Sequence, residues 1–397
     1  MGRGGDGVLV TEVAQLRERV ASMRKAGTVG FDTEFVGDRS YYPRLCLLQF
    51  ATETMAVAVD PLALSDLSPL DELLFDPAVL KVVHAGWQDL KILFQRTGRG
   101  PGPVFDTQIA AALLGQPAQA SYVSVVRDLL GVTLRKGHSY SDWCARPLSP
   151  SQLAYALDDV RHLPALYGRM MERLRAGGRL SWLDPEMAAL SSPGSYETVP
   201  EQEYRRVKGW ASLDRPRLGV LRDVIAWRER EAMRRDIPRR WVLGDETALA
   251  VARACPADED ALRRIRGVEG KIGREVGAAL LSRVREALDQ PADRLPEELP
   301  PRPEGVGDRG PVVALLGALL RVRAREHRVA TEVLATTEEL ERLAAGEREG
   351  IGVLSGWRRD LLGSELLALL DGKVSLTVRN GRVAASPPPG AGPPRRG

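Results

Sequence analysis

The sequence predicts a mixed-sheet α/β domain followed by two all-α blocks. Three observations carry this. Strand-like runs at 27–36, 44–51 and 55–61 follow one another over short connections, which suits an antiparallel meander. Helices and strands then alternate as far as residue 176, the pattern of an α/β layer. Beyond "SSPGSYETVP" (191–200) the chain reads as helices joined by polar turns.

Each element has a local reason. Residues 11–25 form an amphipathic helix ahead of the first strand. "RLCLLQFA" (44–51) and "MAVAVDP" (55–61) are apolar strands. "SDLSPLDELLF" reads as a helix, "KVVHAG" as a short strand, and "WQDLKILFQRTG" as a helix stopped by Gly98. "PVFDTQIAAALLG" is a strand running into a helix, and residues 121–131 and 150–176 each supply one more. The expected organisation is an α/β domain at 10–190, a linker at 191–212 and a helical domain at 213–289. A Pro/Gly-rich linker (290–311), a second helical domain (312–385) and a low-complexity, disordered tail (386–397) follow.

Composition narrows the class. The chain has 397 residues, 44% hydrophobic and 27% charged, enough for two or three cored domains of an ordinary soluble protein. The opening "MGRGGDGVLV" lacks an apolar signal core, and no apolar run approaches a membrane span. Cys46, Cys144 and Cys255 are odd in number and widely scattered. They suggest neither a disulfide framework nor a zinc site, and they fit a reducing cytoplasm. Residues 1–200 carry 20 Lys+Arg against 22 Asp+Glu, whereas residues 201–397 carry 36 against 31. The second half is therefore mildly basic, compatible with phosphate contact.

The strand "TVGFDTEFVG" (28–37) raises a chemical question. A strand alternates faces, so Asp32 and Glu34 share one face while Phe31, Thr33 and Phe35 share the other. Two neighbouring carboxylates repel, and burial raises the cost. Either the acidic face is solvated, or a cation sits against it. Further oxygen ligands would have to come from elsewhere. Asp89 lies in the first turn of a helix, where it could also simply complement the macrodipole. In "QLAYALDDVRHL", Tyr155 and Asp159 are four apart and share a helix face, with Asp158 a rival.

Together these residues give Asp-x-Glu on a first strand, an Asp after a later strand, and Tyr-x-x-x-Asp on a closing helix. This resembles the DEDDy family of 3′-5′ exonucleases on the RNase H-like fold. "FDTEF", "HAGWQDL", "FDTQIAAALLG", "KGHSYSDWCARPLS" and "QLAYALDDV" stand in the order and spacing of the ribonuclease D family. Residues 215–289, with "LRDVIAWREREAMRRDIPRRWVLGD" and "LRRIRGVEG", resemble an HRDC domain. Residues 312–385 look like a second, divergent copy.

The resemblance implies a metal-dependent exoribonuclease that releases nucleoside 5′-monophosphates and trims tRNA precursors and other structured RNAs. It implies two divalent ions, Mg²⁺ or Mn²⁺, held by Asp32, Glu34, Asp89 and Asp159. The family spacing of four favours Asp159 over Asp158. Tyr155 would orient or deprotonate the attacking water. Candidate substrate contacts are Thr33, Phe35, His84, Lys136, Arg239 and Arg240. Competing structural readings stand beside several of these. Asp106 matches a family position yet precedes a helix, as an N-cap does. His84 reads also as a satisfied structural histidine, Trp143 as core, and the arginines of "REREAMRRDIPRRW" (228–241) as a solvated helix. Other functional readings are a DNA exonuclease of the same superfamily or a catalytically silent RNA-binding protein. A cytoplasmic monomer without membrane contact is expected.

Overall fold

The computed structural model describes residues 8–134, 142–268, 273–297 and 309–386. Lys136 and the tail beyond residue 386 lie outside them. The described chain forms two compact units. One runs to Glu34 and adds Cys46–Ser195 and Val306 onward; the other joins Phe35–Leu45 to Tyr196–Gly305.

The first unit is built on a six-stranded sheet. Its strands are β1 (Val8–Val10), β2 (Thr28–Val36), β3 (Arg44–Ala51), β4 (Ala56–Val59), β5 (Leu80–Val83) and β6 (Val104–Asp106), in the order β1-β4-β3-β2-β5-β6. β3 and β4 pair antiparallel, as the meander predicts. β5 pairs parallel with β2 (Gly30 opposite Val82) and β6 with β5 (Val83 opposite Asp106), which makes the sheet mixed. β1 pairs parallel with β4; at three residues it is too short to show an alternating pattern in the sequence.

Helices α1 (Val13–Ala26), α2 (Ser68–Leu74), α3 (Trp87–Thr97), α4 (Thr107–Leu113) and α5 (Tyr122–Leu130) fall where expected, α3 ending on Gly98 in the left-handed region. The expected single helix over 150–176 is instead two, α6 (Pro150–Arg161) and α7 (Leu163–Ala176). Pro164 lies in the first turn of α7, where its missing N–H costs nothing, whereas a continuous helix would need that donor. α6 opens on a capping box in which Ser149 and Gln152 bond each other's backbone. Helix α8 (Leu180–Ser191) follows.

Two readings are corrected here. The Sγ atoms of Cys46 and Cys144 are bonded, with 5.1 Å between Cα atoms. That disulfide ties β3 to the segment ahead of α6, and a separation of 98 residues hides it from spacing rules. The chain beyond residue 309 also does not stand apart after a linker. Trp182 of α8 stacks on Trp357 at 4.8 Å, Glu186 pairs with Arg358 at 2.8 Å, and the Ala330 N–H donates to the Ala112 carbonyl. This segment is not wholly helical either: β7 (Ser375–Arg379) and β8 (Arg382–Ser386) form an antiparallel ribbon.

The second unit packs α9 (Arg215–Arg235), α10 (Arg239–Val242), α11 (Asp245–Ala254), α12 (Glu259–Arg263) and α13 (Arg274–Leu288). Its apolar core centres on Leu218, Leu221, Val224 and Ile225 of α9. Tyr204, Val207 and Leu213 belong to that core, so part of the expected linker is built into the unit.

Gly30 decides how closely the helices approach β2. A Cβ there would stand 2.9 Å from the Val160 carbonyl oxygen and 2.9 Å from Leu163 Cβ. Gly30 shares its strand face with Asp32 and Glu34, so its missing side chain lets the α6–α7 corner settle beside the acids. Gly30→Ala is expected to destabilise this unit by about 1–3 kcal/mol through overpacking against backbone. Urea unfolding followed by the fluorescence of Trp143 and its neighbours would measure it, and an unchanged midpoint would show that the corner can retreat freely.

Candidate active site

Oxygens of Asp32, Glu34 and Asp159 all lie within 4.8 Å of one another. β2 supplies the first two from one face, and α6 supplies the third. Asp89, in the first turn of α3, is 8% exposed, and its charge acts directly on Asp32. The rival Asp158 is not among the clustered acids and pairs instead with Arg161 at 2.7 Å.

The electrostatics of this cluster are one-sided. Burial, then the charges of Asp89, Asp159 and Glu34, push Asp32 well above the usual carboxylate range. Burial, with Asp159 and Asp89, raises Glu34 to about 8. Burial raises Asp159 to about 7, with Asp158 adding to the rise and a hydrogen bond from Tyr155 opposing it. Asp89 rises to about 6 through burial, against the hydrogen bond from Thr33. Among the described residues, the charges that act most on Asp32 and Glu34 are thus all carboxylates. A compact set of hard oxygen donors without a cationic side chain fits a divalent ion such as Mg²⁺ or Mn²⁺.

The surrounding residues hold these acids in place. The Thr33 hydroxyl donates to Asp89 Oδ1 from inside the core, where Thr33 is 5% exposed. Thr33 therefore positions an acid, and is not a free substrate contact. Tyr155, four residues before Asp159, donates its hydroxyl to that carboxylate. Burial and the charges of Asp159 and Glu34 push its pKa up. Its ring stacks on buried Trp143 at 6.1 Å, which places Trp143 in the core. The segment carrying Trp143 is fixed by Arg146. That guanidinium makes two bonds to Asp60, at 2.5 and 2.8 Å, and one to the Cys46 carbonyl at 2.6 Å. At the far end of α6, the Tyr122 hydroxyl accepts the His162 N–H at 3.2 Å.

Asp106 caps α4 as expected, accepting from Gln108 and Ile109. It also accepts the N–H groups of Ala85 (3.1 Å) and Gly86 (3.0 Å). Ala85 sits at φ 53°, a strained position for a residue with a Cβ, and Asp106 thereby fixes the turn that launches α3 towards Asp89. His84 is not placed as a substrate contact. Its Nδ1 meets the Thr107 hydroxyl at 2.9 Å and its Nε2 the Ala120 carbonyl at 3.0 Å, which occupies both ring nitrogens. Phe35 is half-buried near the end of β2.

In the second unit, Arg239 is likewise engaged. It pairs with Glu229 at 2.7 Å and Glu203 at 3.7 Å, and donates to the Tyr41 hydroxyl at 3.4 Å. Arg239 as a phosphate contact is therefore corrected to a structural role. Arg240 is exposed, beside a cavity of about 450 Å³ also lined by Glu203, Arg206 and Asp245. Sequence reasoning missed Thr33 and Arg146 as positioning residues. The carboxylate partners of both are distant in the chain, so no local spacing marks them.

Comparison with known proteins agrees with this architecture. A family model described as 3′-5′ exonuclease matches residues 8–175, and an HRDC domain model matches residues 217–284. The chain is 43% identical to the ribonuclease D of Gluconacetobacter diazotrophicus over 96% of its own length and 97% of that protein. It is 40% identical to the ribonuclease D of Zymomonas mobilis, with 95% and 97% covered. Among solved structures it matches that of Escherichia coli RNase D, described as an exoribonuclease involved in structured RNA processing. That match has a TM-score of 0.79 at 31% identity and covers 91% of this chain and 98% of the other. Among the described residues, no helix is long and apolar enough to cross a membrane.

The raised carboxylates carry a sign. An acid whose pKa is higher folded than unfolded keeps its proton after the unfolded chain has released its own. Folding stability then falls as pH rises from the ordinary carboxylate range near 4 towards the folded values, here about 6 to 8. In chelator, the thermal midpoint should therefore drop between about pH 5 and about pH 8. Added Mg²⁺ should restore it most at the upper end, where the acids ionise. A midpoint in chelator that stays flat across this range, with no Mg²⁺ increment, would contradict the one-sided cluster.

Proposed function

Because the chain belongs to the ribonuclease D family and is a 3′-5′ exoribonuclease, we propose specific roles for its acids and for Tyr155. Asp32, Glu34, Asp89 and Asp159 hold two divalent ions, Mg²⁺ or Mn²⁺. When bound, such ions lower the pKa of the attacking water and neutralise charge developing on the phosphate and the leaving 3′ oxygen. The chain's own residues do the rest. Tyr155, braced by Trp143 and hydrogen-bonded to Asp159, presents its hydroxyl to the cluster and orients the water. A phenol with an ordinary pKa near 10 is a poor base at neutral pH, so positioning is the role assigned to it. The product is a nucleoside 5′-monophosphate. The observation that carries this reading is the convergence of Asp32, Glu34 and Asp159 with Tyr155 bonded to the last of them.

The substrates we propose are tRNA precursors and other structured RNAs with free 3′ ends, acted on by a cytoplasmic monomer. The structured-RNA role attributed to the Escherichia coli protein supports this choice. We further propose a nuclease fold at 10–190 on which the segment from 309 packs, and an HRDC domain at 213–289 whose core also takes in Tyr204 and Val207. The exposed Arg240, rather than Arg239, is the better candidate for backbone contact in the second unit.

The test compares matched RNA and DNA oligonucleotides with Mg²⁺, Mn²⁺ or EDTA. RNA should shorten from its 3′ end only with metal, and faster than DNA. Asp159→Asn should abolish hydrolysis, whereas Asp158→Asn should retain most of it. Tyr155→Phe should lower kcat strongly with little change in RNA affinity, because the lost hydroxyl acts on water and not on the strand. Equal turnover by Tyr155→Phe would remove that residue from the reaction, and an active Asp159→Asn would reverse the choice between the adjacent aspartates.

A further inference from the structure

The segment that continues β2 past the acids belongs to the helical unit. Phe35–Leu45 clusters with Tyr196–Gly305, and Phe35 follows Glu34 without an intervening residue. Within that unit the segment is knotted to the end of α9. Asp236 Oδ1 accepts the N–H groups of both Tyr41 (3.0 Å) and Tyr42 (2.9 Å). The Tyr41 hydroxyl donates to Glu229 Oε2 at 3.2 Å and accepts from Arg239, whose guanidinium lies 5.3 Å from the Tyr41 ring centroid. Glu229 is fully buried and is gripped by Arg228 at 3.0 Å and by Arg239 at 2.7 Å. The anchor is thus rigid, because breaking it would leave a buried carboxylate short of partners.

We propose that the Asp236–Tyr41 knot is a positioning device for catalysis. It holds the chain on the C-terminal side of Glu34, so the helical unit contributes to the precision of the metal-holding acids as well as to any contact with RNA. This rests on Glu34 serving as a ligand in the reading above. Two covalent connections, one on either side of Phe35–Leu45, transmit the constraint, and a misplacement of a reacting group by about 1 Å can cost on the order of a hundredfold in rate.

Asp236 allows a clean test because it sits at φ 47°, in the left-handed region. Gly adopts that conformation readily, so Asp236→Gly removes the acceptor without straining the helix end, and Asn tolerates it while keeping a carbonyl oxygen. The full chain should be assayed on an RNA of a few nucleotides, too short to need remote contacts. Asp236→Gly should lower kcat about tenfold with KM nearly unchanged, and should raise the Mg²⁺ concentration for half-maximal rate. Asp236→Asn should behave like the unaltered chain. Amide exchange over residues 33–37 should quicken in Asp236→Gly alone. If Asp236→Gly keeps the unaltered kcat and Mg²⁺ dependence while its exchange quickens, the knot is structural only and the proposal falls. If Glu34→Gln retains full activity, the ligand assignment itself falls, whichever way Asp236→Gly behaves.

Discussion

Repulsion among half-buried carboxylates is the constraint around which the nuclease unit is arranged. Burial raises the proton affinity of all four acids; Asp89, Asp159 and Glu34 raise that of Asp32 further, and Asp159 and Asp89 that of Glu34. Left alone, such side chains would rotate apart or draw in water. The fold prevents this from several directions. Gly30 lets the corner of α6 and α7 lie against β2, Thr33 clamps Asp89, and Tyr155 clamps Asp159. Tyr122 secures the end of α6, and Asp106 secures the strained turn before α3. The acids are held together at a cost in stability, which is the signature of a site built for a cation.

Much of that site was legible in the sequence because its elements obey short periods. Asp32 and Glu34 fall two apart on a strand, Tyr155 and Asp159 four apart on a helix, and each period states which residues share a face. Asp106 before an alanine-rich run announced a helix cap in the same local way. The joining of these distant acids came from the family resemblance; what escaped were the long-loop pairings that no family motif marks. Thr33 and Asp89, Arg146 and Asp60, and Cys46 and Cys144 are separated by 56, 86 and 98 residues. Nothing in the flanking residues distinguishes such a pair from two unrelated side chains. The break at His162 lay between: Pro164 was visible, and a helix that takes proline only in its first turn must begin again there.

The arginine-rich stretch of the helical unit shows the limit of counting charge. Residues 228–241 looked equally suited to phosphate and to solvent. In the structure Arg228 joins Glu229 and Asp245, Arg230 joins Glu201, Arg234 and Arg235 join Glu231, and Arg239 joins Glu229 and Glu203. Net charge over a segment does not reveal which guanidinium groups are already paired, since pairing depends on partners on other elements as well as on the helix itself. The exposed pairs among these add little to stability, whereas the buried ones set geometry.

The two units therefore answer the same problem in opposite ways. Glu229 is as buried as any acid in the chain, yet two guanidinium groups and a phenol hydroxyl stand against it. Its charge is satisfied from within, and its surroundings are correspondingly fixed. Asp32 and Glu34 receive further negative charge, and the charges of the described residues that act most on them are all carboxylates. A chain this rich in arginine had the means to neutralise them, as Arg146 does for Asp60. A guanidinium in that position would have filled the space and the charge that a divalent ion and a phosphate require. Among the described residues, the lack of an arginine in the cluster is thus as much a part of the site as the acids themselves.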